Sequence, residues 1–157
     1  MKVVKSLIFL GIISFFILRD PLPPGPGPNI DPQLEQAWQA WLSDMDSMNF
    51  DLKYKIGNIS SIQVSDTLNR VAGVSNKRRG VILIAQYVID RGAESIKYSL
   101  YHELGHHVFN FNHSSKNSIM YRSIIPSDQI KSNWTELKSK YLLKCKKSYD
   151  RAPLEFR

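Results

Sequence analysis

The sequence has almost no cysteine: Cys145 is the single one in 157 residues. This excludes a disulfide framework and a cysteine-built structural zinc site within one chain, so a metal here must be held by His, Asp or Glu. Long apolar runs are also scarce. The stretch Leu7–Leu18 would rise only about 18 Å as a helix, short of the roughly 30 Å hydrocarbon core, which disfavours a conventional membrane span. No small-x-small cleavage site follows it, and no cysteine is available for lipidation. Acidic residues are outnumbered, 14 against 21 Lys and Arg, for a formal charge of +7, yet no nucleic-acid motif accompanies the excess. No nucleic-acid partner is therefore expected. Internal repeats are absent too, and the chain reads as a monomer with one modest core.

What is present is ordinary for a folded body, with 43% hydrophobic and 22% charged residues. Lys2 and Lys5 precede the apolar run, and Arg19-Asp20 with PLPPGPGP closes it, which is the n-region and h-region arrangement of a secretory signal. Residues 1–20 are thus expected to be a cleaved signal peptide or a short uncleaved anchor. In both cases the body lies outside the cytoplasm, secreted or membrane-anchored. Five of the eight prolines fall between Pro21 and Pro28, so 21–29 read as a stiff spacer and 30–157 as the folded domain. Lys138, Lys140, Lys144, Lys146, Lys147 and Arg151 concentrate charge on a C-terminal helix and tail. That is either a solvated face or a contact with an anionic membrane or cell-envelope surface.

The order of elements is that of an α+β protein. Asp31-Pro32 supplies an N-cap with proline at the first helical position, and Leu34, Trp38, Trp41, Leu42 and Met45 recur at helical spacing, predicting a helix over 31–46. Phe50–Ile56 and Ser61–Ser65, interrupted by Gly57-Asn58, predict a hairpin, and the polar stretch 66–80 a loop. Val81–Ala85 is the strongest strand signal. Ile96, Leu100, Leu104 and Val108 predict a helix over about 93–109. A final helix is marked by Asn133 with Glu136, a capping-box variant, and by Trp134, Leu137, Tyr141 and Cys145.

All four histidines, His102, His106, His107 and His113, fall in the twelve residues HELGHHVFNFNH. On a helix, positions four apart point the same way, so His102 and His106 can offer two imidazole nitrogens to one metal. Glu103 is directed to the neighbouring face, where its carboxylate can take a proton from water beside the metal as a carbonyl is attacked. A catalytic zinc keeps three protein ligands and one open site. His113 is the natural third ligand if the helix ends and the chain turns back, and Asn110 tolerates the left-handed conformation that such a turn needs. Ser118-Ile119-Met120-Tyr121 can form a tight turn under the histidines, with Met120 as an apolar floor.

HELGHHVFNFNH followed by SIMY resembles the zinc-binding motif and Met-turn of the metzincin metallopeptidases, H-E-x-x-H-x-x-G-x-x-H. Phe109 and Asn112 occupy the metzincin glycine and third-histidine positions. The segment is more similar to a group of small, often exported bacterial zinc metallopeptidases, in which HELGH is followed by a glycine four residues on and a histidine three later; Asn110 stands at that glycine. The likeness extends upstream through the strand VILIAQYVID and covers about residues 80–125. It implies a metzincin-like α+β fold, with a small mixed sheet packed on an active-site helix between N-terminal and C-terminal helices. It also implies Zn2+ as cofactor, a peptide or protein substrate, and Met120 as the Met-turn residue. Tyr121 would be a hydrogen-bond donor to the oxyanion, and Val81–Ala85 an antiparallel edge strand that pairs with extended substrate.

Each assignment has a plainer counterpart. If His113 is only a loop histidine, then Asn112, or a carboxylate such as Glu136 or Asp128 as in gluzincins, is the third ligand. His107 faces another side of the helix and reads as packed or solvent-exposed; Met120 can be ordinary core and Tyr121 a structural tyrosine. The reading is an exported zinc-dependent endopeptidase with Glu103 as general base. The alternative is a non-catalytic metal-binding surface module attached through the basic C-terminal helix. Closed structural zinc has four protein ligands and only three stand out here, which favours the enzyme.

Overall fold

The computed structural model describes residues 27–152, so the expected signal or anchor over 1–20 and most of the spacer lie outside the described residues. β1 (Asn29–Ile30) leads through a turn into α1 (Glu35–Ser47). Asp31 shapes that turn: its Oδ1 accepts from the Gln33 N–H at 2.9 Å and its carbonyl from the Leu34 N–H at 2.8 Å. It therefore caps a turn ahead of the helix, and the helix begins later than the sequence predicts. α1 buries Ala37, Trp38, Trp41 and Met45, with the two indoles stacked 5.6 Å apart.

The expected hairpin over 50–65 does not form, because Lys53–Gly57 is a short helix, α2. Asp51 Oδ1 accepts from the Lys53 N–H at 3.2 Å, and the Ile56 N–H reaches the Leu52 carbonyl at 2.8 Å. Local capping and the four-residue spacing of Leu52 and Ile56 outweigh a weak alternation. β2 (Ser61–Ser65), β3 (Gly73–Asn76) and β4 (Val81–Ala85) complete a four-stranded sheet in the order β1-β2-β4-β3. β1, β2 and β4 are parallel; β3 runs antiparallel to β4.

Two expectations are corrected here. Residues 73–76, placed in a loop by their polarity, form the edge strand, turned into β4 by Asn76, whose Oδ1 accepts from the Arg79 N–H at 3.1 Å, and by Gly80 at φ 66°. Val81–Ala85 consequently lies inside the sheet and not at its edge, with Ile82 and Ile84 buried. The residues QYVID that follow are helical, α3 (Gln86–Asp90), and do not prolong the strand.

α4 (Ala93–Phe109) has the predicted bounds, while α5 (Ser127–Arg151) starts ahead of the expected Asn133. Asn133 instead donates through Nδ2 to the Gln129 carbonyl at 2.9 Å inside that helix. α4 packs against α1, α5 and the β3–β4 pair, and so is buried along most of its surface. Polar ties fix the layers. Trp41 Nε1 donates to the Tyr141 hydroxyl at 3.2 Å, Tyr101 donates to Asp44 at 2.7 Å, and Lys138 pairs with the same Asp44 at 2.9 Å. The fold is α+β, with a small mixed sheet and five helices among the described residues. None of those helices is long and apolar enough to cross a membrane.

Candidate metal centre

The site is built on one buried helix and the turn after it. α4 ends at Asn110, which adopts the left-handed conformation at φ 57° and ψ 32° and sends its N–H back to the Gly105 carbonyl. The Phe111 N–H bonds the same carbonyl at 3.1 Å. The chain reverses there and returns His113 over the helix. His106 Nε2 lies 3.0 Å from His102 Nε2 and 3.2 Å from His113 Nε2. Tetrahedral zinc with Zn–N near 2.05 Å requires nitrogens about 3.3 Å apart, so the spacing suits a small cation.

Hydrogen bonds orient two of the rings. His102 Nδ1 donates to the Ile119 carbonyl at 2.7 Å and His106 Nδ1 to the Phe111 carbonyl at 2.5 Å. A carbonyl only accepts, so the ring proton of each neutral imidazole sits on Nδ1 and the lone pair on Nε2 faces its neighbours. Lone pairs gathered this closely repel one another unless a cation lies between them. Burial, opposed in part by the Ile119 bond and joined by His106 and His113, pushes His102 down to about 4. Burial likewise lowers His106. Both imidazoles are therefore neutral and able to ligate at ordinary pH.

Glu103 stands on the adjacent face, 6% exposed, and burial pushes its carboxyl up to about 7. It lies against Gly73 of β3: a Cβ there would come within 2.8 Å of Glu103 Cγ and 2.9 Å of Oε1. The Met120 turn lies beneath the helix. Ser118 accepts from the Tyr121 N–H at 3.0 Å through its carbonyl and from the Met120 N–H at 3.1 Å through Oγ, and Tyr98 donates to the Ser118 carbonyl at 3.0 Å. Met120 is fully buried, and its Sδ would lie 2.5 Å from a Cβ at Gly105. That contact accounts for the glycine of HELGH. Gly105→Ala is expected to lower stability by about 1–2 kcal/mol, overpacking exceeding the helix-propensity gain of about 1 kcal/mol; a lower urea midpoint with unchanged slope would show it.

No family model, curated protein or solved structure matches the chain. The site is accordingly judged on its own geometry. Among the described residues His102, His106 and His113 form the group able to hold a metal ion. Glu136 is absent from that group and pairs with Lys140 at 2.5 Å on an exposed face of α5. Asp128, in the first turn of α5, is absent too. His107 is buried away from the cluster, its Nδ1 sharing a 2.8 Å hydrogen bond with Ser75 Oγ of β3.

A cleft of about 430 Å³ opens over the three histidines and Glu103, and Tyr121 lines it. Sequence reasoning missed the opposite wall, formed by Arg70, Val71 and Gly73, and also Tyr87 and Arg122. No motif marks these residues; the short Gly-Val-Ser-Asn alternation was the single local signal that 73–76 could join a sheet. Ser99, one turn before Glu103, has a buried Oγ without a hydrogen-bond partner and borders the same cleft.

Proposed function

We propose that the chain is an exported, metzincin-like zinc endopeptidase in which His102, His106 and His113 hold the ion and Glu103 is the general base. One observation carries this reading. Three inward-facing imidazole nitrogens and a buried carboxylate meet in one open cleft, and no fourth His, Cys, Asp or Glu joins the group among the described residues. Structural zinc is closed by four protein ligands, whereas a catalytic ion keeps a position open.

When bound, zinc supplies Lewis acidity, lowering the pKa of water in its open corner and polarising a carbonyl. The chain's own residues do the rest. Glu103 accepts a proton on a carboxylate oxygen and passes it to the departing amine, a role that a group poised near 7 suits well. Tyr121, at the cleft wall, donates its phenolic O–H toward the developing oxyanion. The Ile119 and Phe111 carbonyls hold the imidazole planes, and Met120 keeps the floor under them dry and filled. Export rests on Lys2, Lys5 and the apolar run of the sequence. In the non-catalytic alternative, the desolvated carboxylate beside the ligands would have a cost and no role.

The test is cleavage of an unfolded protein by the full chain with zinc, lost on chelation and restored by zinc. Zinc binding without cleavage of unfolded proteins or peptide libraries would favour the non-catalytic module. A milder probe addresses the wall: Gly73→Ala must shift Glu103 by a few tenths of an ångström. Turnover is expected to fall about tenfold through misplacement of the base, with zinc stoichiometry, measured by atomic emission, unchanged.

A further inference from the structure

Seven cations around the C-terminal end of α4 are not among the metal-site residues. Two shallow adjoining depressions share Lys55, Val108 and Asn110, and between them are lined by Lys55, Lys77, Arg78, Arg79, Lys144, Lys147 and Arg151 with no acidic side chain. Among the described residues the ion pairs are made by Lys97, Lys138, Lys140 and Lys146, not by these seven. The fold nevertheless holds three of them in place. Lys77 donates to Asn110 Oδ1, and Lys55 and Lys144 lie over the rings of Phe109 and Phe111 at 5.6 and 4.4 Å. A helix C-terminus favours a cation or two. Seven, drawn from α2, the β3–β4 turn and α5, repel one another and create a positive field that calls for an anionic partner.

The path of the chain indicates which kind. The Asn29 N–H donates to the Ser60 carbonyl at 3.0 Å, the Ser60 N–H to the Gly80 carbonyl at 2.7 Å, and Ser60 Oγ to the Arg79 carbonyl at 3.1 Å. Residue 29 therefore enters the fold on the rim of the basic surface. Ahead of it in sequence stand Lys2, Lys5 and the apolar run Leu7–Leu18. Residues 19–28 can span at most about 35 Å at roughly 3.5 Å each, so a membrane-seeking segment is tethered close to this face. We propose that this face docks on an anionic lipid bilayer, held there by the apolar run. The proposal is independent of the metal site.

The experiment is co-sedimentation of the full chain with vesicles of phosphatidylcholine alone or mixed with phosphatidylglycerol. The apolar run can bind both kinds; the basic surface contributes only the preference for the anionic vesicles and its decline with salt. Arg78→Gln/Arg79→Gln/Lys147→Gln, at exposed positions, is expected to reduce that preference about fivefold per charge, on the order of a hundredfold together. Arg91→Gln/Lys116→Gln/Lys131→Gln removes the same charge near the start of α5 and should leave the preference nearly intact. Equal losses in the two variants would mean that net charge alone acts, and would overturn the assignment. Equal binding to neutral and anionic vesicles, or tighter binding to duplex DNA through the same three residues, would overturn it as well.

Discussion

Glu103→Gln is expected to lower peptide hydrolysis by about 10²–10⁴-fold, the usual share of a general base, while one zinc per chain is retained. The same substitution should make the metal-free protein more stable at alkaline pH. Burial raises Glu103 from its ordinary 4.5 to about 7, so the folded chain holds this proton more tightly than the unfolded one. Between those values folding stability falls as pH rises, and above about 7 the whole penalty is present, roughly 3 kcal/mol at 1.36 kcal/mol per pH unit. Glutamine has no charge to desolvate. Urea unfolding should therefore find the variant more stable than the parent at pH 8 and nearly equal to it near pH 4. A variant that loses activity and stability together at pH 8 would mean that Glu103 serves packing and not proton transfer.

His113→Ala should weaken zinc binding by about 10²–10³-fold. The 10–16 kcal/mol typical of four-ligand zinc sites amounts to a few kcal/mol per ligand. Asn112→Ala, one residue earlier and exposed, should stay within a few-fold of the parent. The contrast separates the converging nitrogen from its neighbour. It matters because the returning loop, unlike α4, has little packing: His113 is exposed where His102 is buried. A competition titration against a chromophoric chelator reads both affinities. Equal losses for the two variants would point to disruption of the whole loop, and a loss confined to Asn112→Ala would move the third ligand.

The parts of the site legible in the sequence are those governed by local rules. The i, i+4 spacing placed His102 and His106 on one face, and the left-handed tolerance of Asn110 anticipated the turn that returns His113. Met120 under the helix was legible for the same reason, since a four-residue turn leaves few places for its side chain. Long-range features were hidden. The β3 edge is four residues of weak alternation, stabilised mainly by pairing with β4, and no periodicity announces such a strand. Without it Gly73 had no reason to be beside Glu103. The hairpin expected at 50–65 failed because Asp51 capping acts over two residues, below the resolution of a pattern reading. The basic surface was half visible: Lys144, Lys147 and Arg151 stand in the basic C-terminal stretch of the sequence, but the Lys77–Arg79 turn joins them only through the fold.

Calorimetric titration of zinc into the metal-free chain is the most direct test. Saturation at one ion per chain is predicted, with little proton release near pH 7 from His102 and His106, which are already neutral there. Absence of saturable binding, or tight binding that survives replacement of His102 and His106 by alanine together, would contradict the account.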